Sequence, residues 1–226
     1  MSSSLRAIFS GIGIDKDYSG LDRAGLELDF QGWGSTHQFF KQAIEVVKPR
    51  LIVEVGTWKG ASTRHMLELC RGLGLETEII CIDTWLGSST ELWLDPECRE
   101  WLRLQNGYPS MFSQFVHNMI ETGLMDSVFP LPMTSSAACH LLKNFGVVPQ
   151  MVYVDAGHER TDVYTDLCLY FDLLEPGGVL LGDDYSPAQP GVVDAANQFA
   201  FENKLLMTAY KRKFMLRKPL ESAAAV

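Results

Sequence analysis

The stretch LIVEVGTWKGAST, residues 51–63, sets the architecture of this chain. Leu51 to Val55 has the length and branched apolar content of a buried strand. Gly56 to Gly60 follows as a loop, and the pattern from Ala61 to about Arg71 is helical. A strand, a glycine turn and a helix form the ligand-binding half of a βαβ unit. The first glycine allows a sharp turn past the strand, and the second is expected to let the helix start pass close to a ligand. The free N–H groups of that helix start attract electron-rich atoms.

The loop departs from the dinucleotide pattern GxGxxG. It reads Glu54-x-Gly56-x-x-x-Gly60, with an acid at the strand end. A carboxylate there repels a pyrophosphate but pairs with an ammonium. The residues therefore favour a cofactor with an amino-acid end, such as S-adenosylmethionine. The plain alternative is a tight βα loop in which Glu54 only caps the helix.

Working outward, Glu78 to Ile82 reads as the next strand, closed by Asp83, 23 positions after Gly60. An acid at that place can hold two ribose hydroxyls; otherwise it is a strand-end turn residue. Further strands are expected at Val128–Leu131, Met151–Val154 and Val179–Leu181, with a closing pair at Leu205–Ala209 and Phe214–Leu216 around a Lys211–Lys213 turn. Helical patterns alternate with them: one capped by Ser35 or Thr36 through Val47, then Tyr108–Thr122, Ser135–Lys143, Thr161–Leu174 and Gly191–Glu202. This order predicts a Rossmann-like α/β fold. Its sheet has seven strands, mostly parallel, with one antiparallel strand in an edge hairpin and helices on both faces. Residues 35–220 make that domain, and 221–226 read as a disordered tail. Residues 1–34, rich in Gly, Ser and Asp, read as an extension with one short helical turn near Leu5 to Phe9. They either drape over the cleft or contact a partner subunit. Residues 84–108 are long for a βα connection and carry Trp85, Trp93 and Trp101, as a substrate loop or lid would.

Composition narrows the class. Apolar residues make up 46% and charged residues 21%, which is ordinary for a globular domain. A net charge of −9 argues against nucleic acid or an anionic membrane as partner. No apolar run approaches a membrane span, and no secretion signal is visible. Five scattered cysteines without a CxxC read as buried thiols of a reducing, cytoplasmic compartment.

Ligands of a parallel sheet lie outside the carboxyl ends of its strands. Glu54, Asp83, Asp155 and the pair Asp183–Asp184 are all expected at that edge. Neighbouring strands lie about 4.8 Å apart, so acids on adjacent strands can converge. Gathered carboxylates need positive charge, and short acidic side chains suit Mg²⁺. Asp155, Asp183 and Asp184 are the expected metal set; the alternative is that they cap the helices that follow. His158, in the loop DAGHE, can reach a bound hydroxyl and titrates near neutrality, or it can clamp the acids. His117 and His140 read as packing or surface residues.

VEVGTWKGAST, ICIDTW and YVDAGHERTDVYTDLCLYFDLLEPGGVLLGDDY together resemble a class I S-adenosylmethionine-dependent methyltransferase. The similarity is to the branch holding the macrocin and mycinamicin sugar O-methyltransferases and the cephalosporin-hydroxylase-like proteins, and it covers roughly residues 51–201. The resemblance implies a cofactor set of Glu54, Gly56, Thr57, Gly60, Ser62, Asp83, Ser135, Ser136 and Asp155. It implies Mg²⁺ on Asp155, Asp183 and Asp184, with His158 as general base beside Asp155, and self-association into a homo-oligomer. Many relatives read Asp-Gly-x-His where this chain has Asp155-Ala156-Gly157-His158, and residues 84–108 match nothing in the branch. The implied reaction is methyl transfer to a hydroxyl of a small molecule, a sugar or polyol. The alternatives are a catechol-type O-methyltransferase, with Trp85 or Trp93 as ring platform, and a non-catalytic binding or scaffold protein. A nicotinamide dehydrogenase is disfavoured by the missing GxGxxG.

Overall fold

The computed structural model describes residues 2–14, 16–87 and 90–220. The segment 221–226, expected as a disordered tail, lies outside them. The seven strands are β1 (Leu51–Val55), β2 (Glu78–Asp83), β3 (Val128–Pro132), β4 (Met151–Val154), β5 (Val179–Gly182), β6 (Met207–Tyr210) and β7 (Lys213–Arg217). They form one sheet in the order β3-β2-β1-β4-β5-β7-β6. The pairs β3-β2, β2-β1, β1-β4 and β4-β5 are parallel, whereas β7 runs antiparallel to both β5 and β6. The β6–β7 hairpin thus forms one edge of the sheet, as expected, with the antiparallel strand β7 lying between β5 and β6. All five residues of β1 are buried, as a central strand covered on both faces requires.

Alternate residues of β1 supply two cores. Val53 and Val55 pack with α7 (Ser135–Asn144), α8 (Arg160–Leu173) and α9 (Pro190–Glu202). Ile52 packs on the other face with α2 (Gln38–Val47), α3 (Ala61–Gly72) and α6 (Met111–Glu121). Two short helices, α4 (Thr90–Leu94) and α5 (Pro96–Glu100), sit in the long connection after β2. The start of α2 is set by His37, whose ring nitrogen accepts from Phe39 N–H at 3.2 Å, not by Ser35 or Thr36. Lys48, at φ 44°, ends that helix one residue before Pro49. The N-terminal helix α1 (Ser2–Gly11) is longer than the single turn expected, because Leu5 and Phe9 bury on the sheet, Phe9 beside Phe129 at 5.3 Å. The chain then rounds the β3 edge. There Lys16 donates to the Met125 and Asp126 carbonyls of the turn before β3 at 3.0 and 2.8 Å, with its ammonium 3.5 Å from the centre of the Phe129 ring. The cysteines divide: Cys70, Cys81 and Cys139 are buried, Cys98 is half-buried and Cys168 is exposed, contrary to its expected burial. No described helix is long and apolar enough to cross a membrane.

Candidate active site

The loop after β1 is shaped by contact with its neighbours. A Cβ on Gly56, at φ +84°, would lie 1.8 Å from the Asp155 carbonyl oxygen, so β1 leaves the sheet hard against the end of β4. Only glycine fits both that φ and that gap. Gly60 is also left-handed, at φ +85°, but its open side faces protein. A Cβ there would meet Met119 at 2.6 Å and Phe115 at 3.0 Å. Gly60 thus lets α6 close on the loop, a different task from the ligand approach its spacing suggested.

Glu54 is fully buried on the α3 face of the sheet. Its two oxygens accept from the hydroxyls of Ser62 and Thr63 in the first turn of α3. Burial raises its pKa to about 7, against the lowering effect of those hydroxyls. Thr57 is buried. Asp83 accepts backbone N–H groups from Thr57 (3.0 Å), Trp58 (2.8 Å) and Trp85 (2.7 Å), tying the loop to the end of β2. Burial raises its pKa as well, and these amides oppose the rise. Ser135 and Ser136 open α7, which Thr134 caps by accepting from Ala137 N–H. Burial raises the pKa of Asp166 to about 6, against the lowering effect of the Ser135 hydroxyl.

A second group gathers at the ends of β4 and β5. Asp155, His158 and Asp184 each bring a ligand atom within 4.8 Å of the others. Asp184 sits at φ +54° and is bonded by the His158 Nε2 at 2.9 Å and by the Arg212 guanidinium. Burial opposes its ionisation, yet His158 and Arg212 outweigh burial and hold its carboxyl below the usual range. The Asp184 hydrogen bond in turn raises the pKa of His158, against the effect of its burial. Asp155 shifts upward, first through burial and then through the nearby Asp183.

Asp183 does not join this group. It pairs with Lys213, whose side chain is 1% exposed, and shares Tyr153 with Asp155: the Tyr153 hydroxyl lies 2.8 Å from each carboxylate, and Lys213 donates to it at 2.8 Å. Of the expected set, Asp155 and Asp184 come together, with His158 beside them, while Asp183 is held on Lys213. Lys213 was read as a turn residue; it is the first residue of β7 and fully buried. A buried lysine needs such partners, and they lie 30 and 60 positions away, beyond what local pattern reveals.

Trp85 is 2% exposed and donates its indole N–H to the Trp58 carbonyl at 2.9 Å, so it cannot serve as a ring platform. Trp93, 36% exposed with its indole N–H on the Gly87 carbonyl, keeps an open ring, as does Trp33, 54% exposed, which packs against Trp58 and Trp101 at 5.9 and 5.5 Å. Gly34, next in the chain, lies beside Asp183 and Lys213, its hypothetical Cβ 3.5 Å from each.

A sheet of this order, with acids at four strand ends and a glycine loop after β1, has known relatives. Residues 53–185, more than half of the chain, match the family model described as a methyltransferase domain. The chain belongs to that family. Solved structures share the fold of this methyltransferase. The O-methyltransferase NovP superposes with a TM-score of 0.60 at 16% identity, covering 96% of this chain and 98% of that one. The O-methyltransferase from Bacillus cereus in complex with SAH gives 0.58 at 15%, covering 95% and 90%. The O-methyltransferase TomG from Streptomyces achromogenes, in complex with SAM, gives 0.56 at 14%, covering 97% and 89%. No curated protein sequence matches the chain significantly.

Proposed function

We propose that this methyltransferase moves a methyl group from S-adenosylmethionine to a hydroxyl of a small molecule, a sugar or polyol, with a divalent cation such as Mg²⁺. The observation that carries the reading is the convergence of Asp155, His158 and Asp184 beside a glycine loop that Asp83 holds by three backbone amides. The methionine end of the cofactor is assigned to loop 56–60 and Glu54, and the ribose to Asp83. Fold likeness alone does not assign an acceptor.

The residues fit a hard cation. Lys213 already sits on Asp183 and Arg212 on Asp184, while Asp155 is half-buried next to a second carboxylate with Tyr153 as its hydrogen-bond donor. Asp155 and Asp184 would hold the ion, a carboxylate pair being what Mg²⁺ commonly takes from a protein. When bound, such an ion would supply the positive charge that lowers the pKa of an acceptor hydroxyl. His158, oriented through its Nε2 by Asp184, takes the acceptor proton at Nδ1, as an imidazole fixed by a carboxylate does. The oxygen forms its bond to the methyl carbon as the carbon–sulfur bond breaks, and the sulfide leaves neutral. No acid is needed for the leaving group, so much of the rate comes from placement.

A flat acceptor is the second reading, favoured by the half-open face of Trp33 between the glycine loop and Asp183. A catechol ring or the apolar face of a sugar stacks on such a surface. The test is transfer of labelled methyl from S-adenosylmethionine to a panel of sugars, polyols and catechols, in Mg²⁺ and in EDTA. Transfer to a sugar or polyol that stops in EDTA is the expected result. Transfer to catechols alone selects the second reading. Equal transfer in EDTA removes the cation from the account, and cofactor binding without any transfer supports the scaffold alternative.

A further inference from the structure

Residues 27–34 run across the carboxyl edge of the sheet and are bound to the glycine loop at several points. Asp29 pairs through its carboxylate with Lys59, the fourth loop residue, at 2.5 Å, and the Lys59 side chain is 2% exposed. Asn118 of α6 joins both segments. Its amide N–H₂ donates to the Asp29 carbonyl at 2.6 Å and to the Lys59 carbonyl at 2.9 Å, and its oxygen accepts the Asp29 N–H at 3.1 Å. Gln31 accepts from the Trp58 indole N–H at 3.0 Å. Gln114 donates to the Glu27 carbonyl at 2.8 Å and to Asn118. Asn118 and Gln114 are both fully buried.

A surface strap needs no such investment. A lysine is seldom buried unless paired, and a buried amide whose donors and acceptor are all satisfied specifies one geometry of the groups it joins. Those groups are the backbone of Asp29 and of Lys59. The loop between Gly56 and Gly60 is thereby held from two sides, by Asp83 through Thr57 and Trp58 and by the strap through Trp58 and Lys59. A preorganised loop binds its ligand without the ordering cost a free loop bears.

We propose that Asp29 and Asn118 are positioning residues for the cofactor. The N-terminal strap and α6 lock loop 56–60 in the form that receives S-adenosylmethionine, so cofactor affinity depends on residues that do not touch the cofactor. This rests on the reading that the loop is the cofactor's seat.

The experiment is calorimetric titration of the full chain with S-adenosylhomocysteine, well below each variant's unfolding midpoint, with thermal unfolding recorded in parallel. Asn118→Ala and the double variant Asp29→Asn/Lys59→Met, which leaves no orphan charge, should each bind roughly tenfold or more weakly. Asn118→Gln, which keeps the amide one methylene further out, should restore part of the loss. Glu54→Gln separates the two claims. If Glu54→Gln weakens binding and the strap variants lower only the midpoint, the strap is merely structural and the proposal falls alone. If neither Glu54→Gln nor the strap variants change the affinity of a chain that does bind, the loop is not the seat, and both readings fall.

Discussion

The glycine-loop side and the acid-cluster side of the cleft are built on opposite principles. Around β1 and α3 the charged groups have neutral or oppositely charged partners: Glu54 has two hydroxyls, Asp83 three amides and Lys59 its Asp29. At the ends of β4 and β5 three carboxylates crowd together, and two side chains of the β6–β7 hairpin, Arg212 and Lys213, supply fixed positive charge. The first region is shaped by sterics and satisfied hydrogen bonds. The second is an electrostatic balance that is incomplete at Asp155. A methyl group should break the first, and a lost or gained charge the second.

The largest effect is expected in the second region. Lys213→Met leaves Asp183 buried without its cation, and breaking a buried pair in this way costs about 3–5 kcal/mol. Urea unfolding measures it; a loss close to zero would mean that the Lys213 pair contributes nothing to the balance. His158→Gln, at a residue 37% exposed, should leave stability nearly unchanged yet lower methyl transfer about 10²-fold or more, the range of a lost general base. Unchanged turnover would reassign His158 to clamping Asp184.

In the first region, Gly56→Ala should cost at least about 2 kcal/mol, since the backbone is left-handed and the new methyl meets the Asp155 carbonyl. Chemical denaturation reads it. Gly60→Ala should also destabilise through Phe115 and Met119, with a smaller loss because side chains can move aside.

The smallest effect sharpens the comparison through pH. Asp155 and Glu54 both have folded pKa values above their unfolded ones, so the charged form is the penalised form. Their contribution to stability is complete below the unfolded values and is lost as pH rises, through about 7 for Glu54. Cation-free protein should therefore unfold at progressively lower temperature from about pH 5 to pH 8. Saturating Mg²⁺ should raise the midpoint more at the upper end of that range, because metal binding requires the ionised carboxylate. For a chain of this length each kcal/mol corresponds to about 2–4 °C. A Mg²⁺ gain that is the same at both ends would place the ion away from Asp155.

Much of this was legible along the chain, for identifiable reasons. Buried central strands are continuous apolar runs, so β1 and β4 fall where the sequence puts them, and acids that end such runs must lie at the ligand edge. The same logic fails for Lys213, which follows two other basic residues and reads as a turn until Tyr153 and Asp183 appear beside it. It fails for Asp29, Lys59 and Asn118, joined across 30 and 89 positions. It also fails for Gly60, whose spacing signals a ligand although its neighbour is α6. The short helix expected near Leu5 is a ten-residue helix, because burial of Leu5 and Phe9 outweighs the weak propensity of a serine-rich start. Local pattern finds elements and edge acids; partners brought by the third dimension decide which acids remain free.

The most direct test of the central claim is a crystal of the full chain grown with S-adenosylhomocysteine and Mn²⁺, read by the anomalous signal of the metal. One peak bonded to Asp155 and Asp184 is expected, with Asp183 still on Lys213 and the nucleoside product lying along Asp83 and loop 56–60. A peak elsewhere, or no peak beside a bound product, would contradict that claim.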